Sequence, residues 1–468
     1  MSCDSDPYIF STDTLPSDLR FLPPLANGLL GWRVYNGIMH MGGVYNGEGG
    51  RCHRADVPCP LAVKVELEEP AQHSYSLDTH TGVFTHTLSS AGVTASQSLY
   101  SHRYYPNLMV MEVLLVRRVA SEEPITVKLV TSFTPQSKDI VFESCPDYKG
   151  GRRIQGQTNT AEYPGGSCPT VHLIWTPVPS TLTLLPEQSQ ARWGFILIVA
   201  NSSDSAEASF DEGLNLMAVG NLRPSHEKAW KELWLQSKVE VAGSESLCKA
   251  LVGCMFYLLS AFPSIHDTSS SFGGVSPGGL SNGGDGQDYW GHVFWDQDIW
   301  MYPGIALFYP KLARAVLEYR VGTIDGAKDN AQKQGYKGLK FPWESAVSGR
   351  EVCPEDIYGQ QEIHINGDVT LAFQHYLYLS EDLSVFREGR GSEVIYGVAD
   401  YWVSRATWNP EDQKYHLLGL QFARVGWISN ILCKGMVVAN TKIPFDQESQ
   451  YHPEVGMFAN GLVGAGRG

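Results

Sequence analysis

The chain has no run of about 18 apolar residues, so it offers no membrane-spanning helix. Positive charge is scarce: 35 Lys and Arg stand against 50 Asp and Glu, a net charge of −15. Nucleic-acid binding needs a basic face, and so does attachment to an anionic bilayer, so neither partner is expected. The first residues, Met1-Ser2-Cys3-Asp4-Ser5-Asp6-Pro7, carry neither the basic stretch nor the apolar core of a secretory signal. Nine cysteines are scattered without a zinc-binding pattern; Cys52 and Cys59 have no matching His or Cys set to complete a site. Free thiols in a reducing compartment, the cytosol, are the expectation. No internal repeat is evident.

What is present describes an ordinary globular protein, 43% hydrophobic and 18% charged over 468 residues, enough for roughly two or three domains. Short apolar or alternating runs recur at 61–67, 83–88, 93–99, 108–116, 125–133, 170–175, 181–185 and 193–200, separated by Pro and Gly turns. This is the pattern of a large antiparallel sandwich. In Ile125-Thr126-Val127-Lys128-Leu129-Val130-Thr131 strict alternation sends Ile125, Val127 and Leu129 to one face. The pattern changes near residue 225. A linker helix over 229–237, with Ser225 as its cap, leads to helices at 244–261, 305–319, 369–379 and 394–407. The helix at 244–261 is apolar on most faces and is expected to be buried. The turn-rich segments Asn27-Gly28 and Gly42-Gly43-Val44-Tyr45-Asn46-Gly47 need no more than turn chemistry.

One stretch concentrates chemistry. After a Gly-rich run over 273–286 comes Gly291-His292-Val293-Phe294-Trp295-Asp296-Gln297-Asp298-Ile299-Trp300. Indoles stack on the apolar C–H faces of a sugar ring, and carboxylates such as Asp296 and Asp298 accept from its hydroxyls. The same spacing suits a packed core, with Asp296 capping the helix that follows; the residues alone leave both readings open. Phe341-Pro342-Trp343-Glu344-Ser345 repeats the aromatic–carboxylate pairing. In Glu362-Ile363-His364-Ile365-Asn366 the polar side chains alternate and face one way if extended, and Asp368 reads as a helix N-cap.

These motifs, with Asn27-Gly28 and Gly43-Val44-Tyr45-Asn46-Gly47, occur in an order that resembles glycoside hydrolase family 65, which includes acid trehalase, maltose phosphorylase and kojibiose phosphorylase. The likeness covers about residues 15–420. It implies a β-then-α multidomain fold: an antiparallel β-sandwich over 1–224, a helical linker over 225–243 and an (α/α)6 catalytic barrel over 244–420, with a divergent tail over 421–468. It implies that Trp295 and Asp296 bind substrate, with His292, Trp343, Glu344 and His364 as further pocket residues. No metal or organic cofactor is expected. The partner is a small glycoside or glycopeptide, cleaved with inversion; within the family the chain is most similar to the animal branch that removes glucose from the glucosyl-galactosyl unit of collagen hydroxylysine.

The chain departs from the family where the general acid belongs. A Glu in a Pro-Asp-Glu-Tyr-like motif should follow Gly419, but Leu420-Gln421-Phe422-Ala423-Arg424-Val425 stands there, and no carboxylate occurs between Gln413 and Thr441. No residue is therefore assigned as catalytic. An incomplete barrel from a truncated, altered isoform is the expectation, with impaired hydrolysis. A glucoside-binding protein without turnover, a non-functional chain and a disaccharide phosphorylase are the alternatives.

Overall fold

Alternation sets the N-terminal half. A computed structural model of the chain describes residues 6–120, 122–264 and 272–418, and the backbone of 436–438. Its central element is a nine-stranded antiparallel sheet in the order Ile9–Thr12, Gln72–Asp78, Val83–Ser89, Val93–Ser101, Leu108–Arg117, Gln190–Ala200, Thr170–Trp175, Arg152–Thr158 and Ile140–Ser144. Along Leu108–Arg117, Met109, Met111, Val113 and Leu115 join the main core, while Leu108 and Val110 join a second core on the opposite face. Gln190–Ala200, its neighbour, divides the same way: Phe195, Leu197 and Val199 against Ile196, Ile198 and Ala200. Two apolar faces require two covers. The first shares its core with the three-stranded sheet Thr181–Leu184, Ile125–Thr131 and Val63–Glu66. The second is covered by helix Ser203–Ala218 through Ala206, Phe210 and Leu216.

Ile125–Thr131 behaves as its alternation requires: Val127 and Leu129 are buried, while Thr126, Lys128 and Val130 are exposed. Several predicted details are corrected. The linker helix runs Leu222–Gln236, so Ser225 lies inside it, its hydroxyl turned back to the Asn221 carbonyl. Helix Glu245–Ala261 is not buried all round: Phe256 packs on Trp230 at 5.1 Å, but Leu247 and Tyr257 are about half exposed. The segment predicted as one helix over 305–319 is broken. It is divided between helices Tyr302–Phe308 and Pro310–Gly322, which follow a π-turn at Gln297–Met301. Pro310 removes an N–H and disfavours helical backbone at Tyr309, which sits at φ −139°, ψ 65°. Asp368 is not an N-cap. Helix Ile365–Ser380 begins three residues earlier and holds Asp368 in its first turn.

The remaining described helices are Ile324–Lys333, Asp356–Gln361, Ser384–Arg387 and Gly391–Arg405. The architecture is antiparallel sheets followed by a helical part. None of its described helices is long and apolar enough to cross a membrane. Contacts divide the chain into two compact units, Met1–Ser404 and Arg405–Gly468. The second contains strands Thr407–Asn409, Lys414–Leu417 and Met436–Val438. Residues 420–429, where the family likeness places the general acid, lie outside the described residues.

Candidate active site

Three segments of the first unit are tied to one another by backbone and side-chain hydrogen bonds. Val293 and Ser345 exchange bonds of 2.8 and 3.0 Å, which lays the 291–296 segment antiparallel to 341–346. Asn366 then fastens the second loop to the third: Phe341 N–H donates to its Oδ1 at 2.8 Å, and its Nδ2 donates to the Leu339 carbonyl at 3.0 Å. Glu351 accepts from the N–H groups of Trp343 and Glu344 at 2.7 and 2.9 Å. Sandwich residues complete the frame. Tyr45 Oη donates to the Gly291 carbonyl at 2.6 Å, so a segment explained above by turn chemistry alone supports the site.

The entry to the first loop is conformationally costly. Tyr289 and Trp290 both adopt left-handed backbone, φ 53° and 57°, and Gly291 follows at φ 71°. Left-handed geometry costs a non-glycine residue roughly 1–2 kcal/mol, so the surroundings must enforce it. A Cβ at Gly291 would also lie 2.9 Å from the Arg54 guanidinium carbon. Arg54 is the enforcer: it is fully buried and donates to the carbonyls of Gly279, Asn282 and Gly291 at 2.7, 2.7 and 3.1 Å. A lysine has no planar fork to reach three carbonyls. Arg54→Lys is therefore expected to lower stability by about 1–2 kcal/mol in urea unfolding, and an unchanged midpoint would refute this role.

The framework brings Trp295, Trp343 and His364 together. The two indoles are nearly parallel, 24° apart with centroids at 6.3 Å. The His364 ring is edge-on to both, at 5.1 Å from Trp295 and 5.4 Å from Trp343. Trp295 and Asp296 are each half-buried, so they are not sealed into core. Asp296 makes no side-chain capping bond to the helical segment after it, which removes the capping alternative. Burial raises its pKa, the Asp298 and Asp368 charges add to this, and His364 opposes it. Trp300 is mostly exposed.

His292 and Glu344 are paired. His292 is fully buried, with Nδ1 2.6 Å from Glu344 Oε2 and Nε2 2.8 Å from the Cys52 carbonyl. With both nitrogens engaged, it orients Glu344. Glu344, Cys353 and Glu355 bring ligand-type atoms within 4.8 Å of one another. However, Glu344 is committed to His292, and burial with the nearby Glu344 and Glu351 charges pushes the Cys353 thiol well up. A protonated thiol is a poor metal ligand.

Sequence reasoning missed the charges behind this surface. Asp298, read above as a sugar acceptor, is fully buried and ion-paired with Arg320. Burial alone would lower the Arg320 pKa, and Asp298 more than reverses it. The pair joins two helical segments 22 residues apart, and neither residue carries a local signal of it. Asp368 accepts from His364 Nδ1 at 2.6 Å. Burial would lower the His364 pKa, but the Asp368 bond and the charges of Asp368, Glu362 and Asp296 leave it raised. Burial pushes Glu362 up to about 7. A polar depression lined by Thr85, Ser98, Glu112, Arg192 and Arg223 lies on the sheet and shares no residue with these loops.

Comparison with known proteins gives a consistent picture. The model of the glycosyl hydrolase family 65 central catalytic domain matches residues 254–421. A protein-glucosylgalactosylhydroxylysine glucosidase of Danio rerio is 54% identical over 447 residues, spanning 88% of this chain and 68% of that protein. The Gallus gallus protein of the same name is 44% identical, spanning 97% of this chain and 69% of its own length. Among solved structures, a putative kojibiose phosphorylase from human microbiome superposes with a TM-score of 0.70 at 15% identity, covering 89% of this chain and 62% of that one. This last likeness concerns the fold.

Proposed function

Because the chain belongs to glycoside hydrolase family 65, we propose that its three-loop site binds the terminal glucose of glucosyl-galactosyl-hydroxylysine and is built for its hydrolytic release. The observation that carries the reading is the meeting of Trp295, Asp296, Trp343 and His364 on loops far apart in sequence. In this reading Trp295 supplies an apolar face to the sugar ring and Asp296 accepts from its hydroxyls. Glu344, oriented by His292, is a further acceptor. The names of the similar Danio rerio and Gallus gallus proteins support the substrate. The described cysteines are unpaired thiols, which supports a reducing compartment, the cytosol.

Hydrolysis with inversion needs an acid to protonate the leaving oxygen and a base to activate water on the other face. A positioned acid contributes roughly 10²–10⁴-fold. With no carboxylate between Gln413 and Thr441, the expected behaviour is glucose binding with turnover reduced by a factor of that order. The same observation favours one second reading, a glucoside-binding protein without turnover.

Both are tested together. Calorimetry should detect glucose binding by the purified chain, and glucose release from the disaccharide should be slow or nil. Trp295→Ala and Asp296→Asn should each weaken binding by about tenfold or more. Binding that ignores both substitutions would overturn the site; rapid glucose release would overturn the impairment.

A further inference from the structure

Within Gln361–His364 three buried side-chain atoms have no hydrogen-bond partner: Gln361 Oε1, Glu362 Oε2 and His364 Nε2. Native interiors rarely keep such atoms without a reason. Glu362 is only 4% exposed. His364 is fixed from its other side by Asp368, whose carboxylate accepts from Nδ1 at 2.6 Å. Its Nε2 then stands 3.8 Å from Glu362 Oε2. That gap is too long for a direct hydrogen bond, yet one oxygen about 2.8 Å from each atom would bridge it. The same imidazole rests against Trp295 and Trp343, so the gap adjoins the two indoles of the sugar reading.

We propose that Glu362 and His364 together hold one hydroxyl of the bound glucosyl unit, the hydroxyl accepting from His364 Nε2–H and donating to Glu362 Oε2. This rests on the sugar reading of Trp295 and Asp296 and adds to it a position-specific contact. The chemistry agrees with the surroundings. Asp368, Glu362 and Asp296 all favour the doubly protonated imidazole, which alone has donors on both nitrogens. A hydroxyl is both donor and acceptor, so it satisfies the two groups at once, which neither a bare ether oxygen nor a C–H can do. Glu362 is then a determinant of specificity: a site built to bond a hydroxyl discriminates against the analogue lacking it, because its own buried groups are left unpaired.

The test is a cycle that crosses protein and ligand changes. The full chain and its Glu362→Gln and Glu362→Ala variants are titrated calorimetrically with glucose and with its 2-, 3-, 4- and 6-deoxy analogues. Circular dichroism and a thermal melt check the fold, and the isosteric Glu362→Gln serves alone if Glu362→Ala does not fold. The expected result is that one analogue binds the unaltered chain at least about tenfold more weakly than glucose, and that this penalty shrinks in the variants, most in Glu362→Ala where only the His364 bond remains, while the other three ratios stay unchanged. If glucose binds but all four ratios carry over unaltered, the gap holds only an ordered water and the proposal fails, leaving the sugar site standing. If glucose does not bind the unaltered chain, the sugar reading itself falls and takes the proposal with it.

Discussion

Asp298→Ala is expected to destabilise the first unit by about 3–5 kcal/mol, the cost of removing one partner from a buried ion pair. Arg320 would keep its charge at 0% exposure with no hydrogen-bonded anion, only the Asp368 charge acting on it without a direct bond. Its Nη1 already lacks a hydrogen-bond partner, so little in the structure can compensate. The rings of Tyr319 and Phe341, 5.6 and 5.8 Å away, hold the guanidinium in place without neutralising it. Urea unfolding followed by tryptophan fluorescence measures the loss. The double variant Asp298→Leu with Arg320→Met should recover most of it, since an apolar pair of similar volume removes both charges. A single-variant loss below about 1 kcal/mol would mean that the charge is solvated and the pair incidental. Glucose binding should weaken in Asp298→Ala as well, because Arg320 also donates to the Phe294 carbonyl at 3.4 Å and so holds the 294–298 turn that presents Trp295 and Asp296.

The parts of the fold that were legible in sequence are those where one residue pattern has one physical solution. Ile125–Thr131 alternates and sits half-buried. Leu108–Arg117 and Gln190–Ala200 are apolar on both faces and sit between two cores. Among the strands that escaped notice, two of the longest are polar: Gln72–Asp78 reads QHSYSLD and Arg152–Thr158 reads RRIQGQT. They form because neighbours on each side complete their hydrogen bonds, a cause that lies outside the segment. Helix Ser203–Ala218 escaped for a related reason. Its sequence is rich in Ser, Asp and Glu, and only Ala206, Phe210, Gly213 and Leu216 are buried against the sheet.

At the site, residue types were legible and roles were not. Trp295, Trp343 and His364 are in ring contact. His292 turned out to orient Glu344, and Asp298, two residues from Asp296 and chemically identical to it, is sealed against Arg320. Only the turn geometry separates the two carboxylates. After Trp295 the chain enters a helical π-turn, in which the Tyr302 N–H bonds to the Gln297 carbonyl; residues two apart on any helical turn face different ways, so Asp296 and Asp298 meet different surroundings. Which of the two is turned inward is decided by the partner packed there, Arg320, which lies 22 residues away and leaves no local signal.

Glu362→Gln should stabilise the protein while it impairs the site, and the gain should depend on pH in a defined direction. Burial raises the Glu362 pKa from 4.5 to about 7. An acid whose folded pKa lies above its unfolded value resists ionising in the fold, so the native state loses stability as pH rises from about 4.5 to about 7 and nothing further above that. The glutamine variant does not ionise and escapes the loss. Its advantage should be small near pH 4.5, grow through pH 5.5 and 6.5, and level off at roughly 1–3 kcal/mol by pH 8. His364 acts in the same direction in the unaltered chain: its raised pKa stabilises the fold below about 6.5, and that contribution is lost as pH rises through the folded value. Because the variant removes the Glu362 charge, its His364 contribution is smaller, so the difference between the two chains has to be followed across the whole range. Urea midpoints at four pH values give that difference directly. An advantage independent of pH would mean that Glu362 is protonated throughout or solvated, and the carboxylate would then not be the acceptor of a sugar hydroxyl. A buried anion kept at a cost in stability, beside two indoles and an imidazole with an open nitrogen, is what a binding site looks like before its ligand arrives.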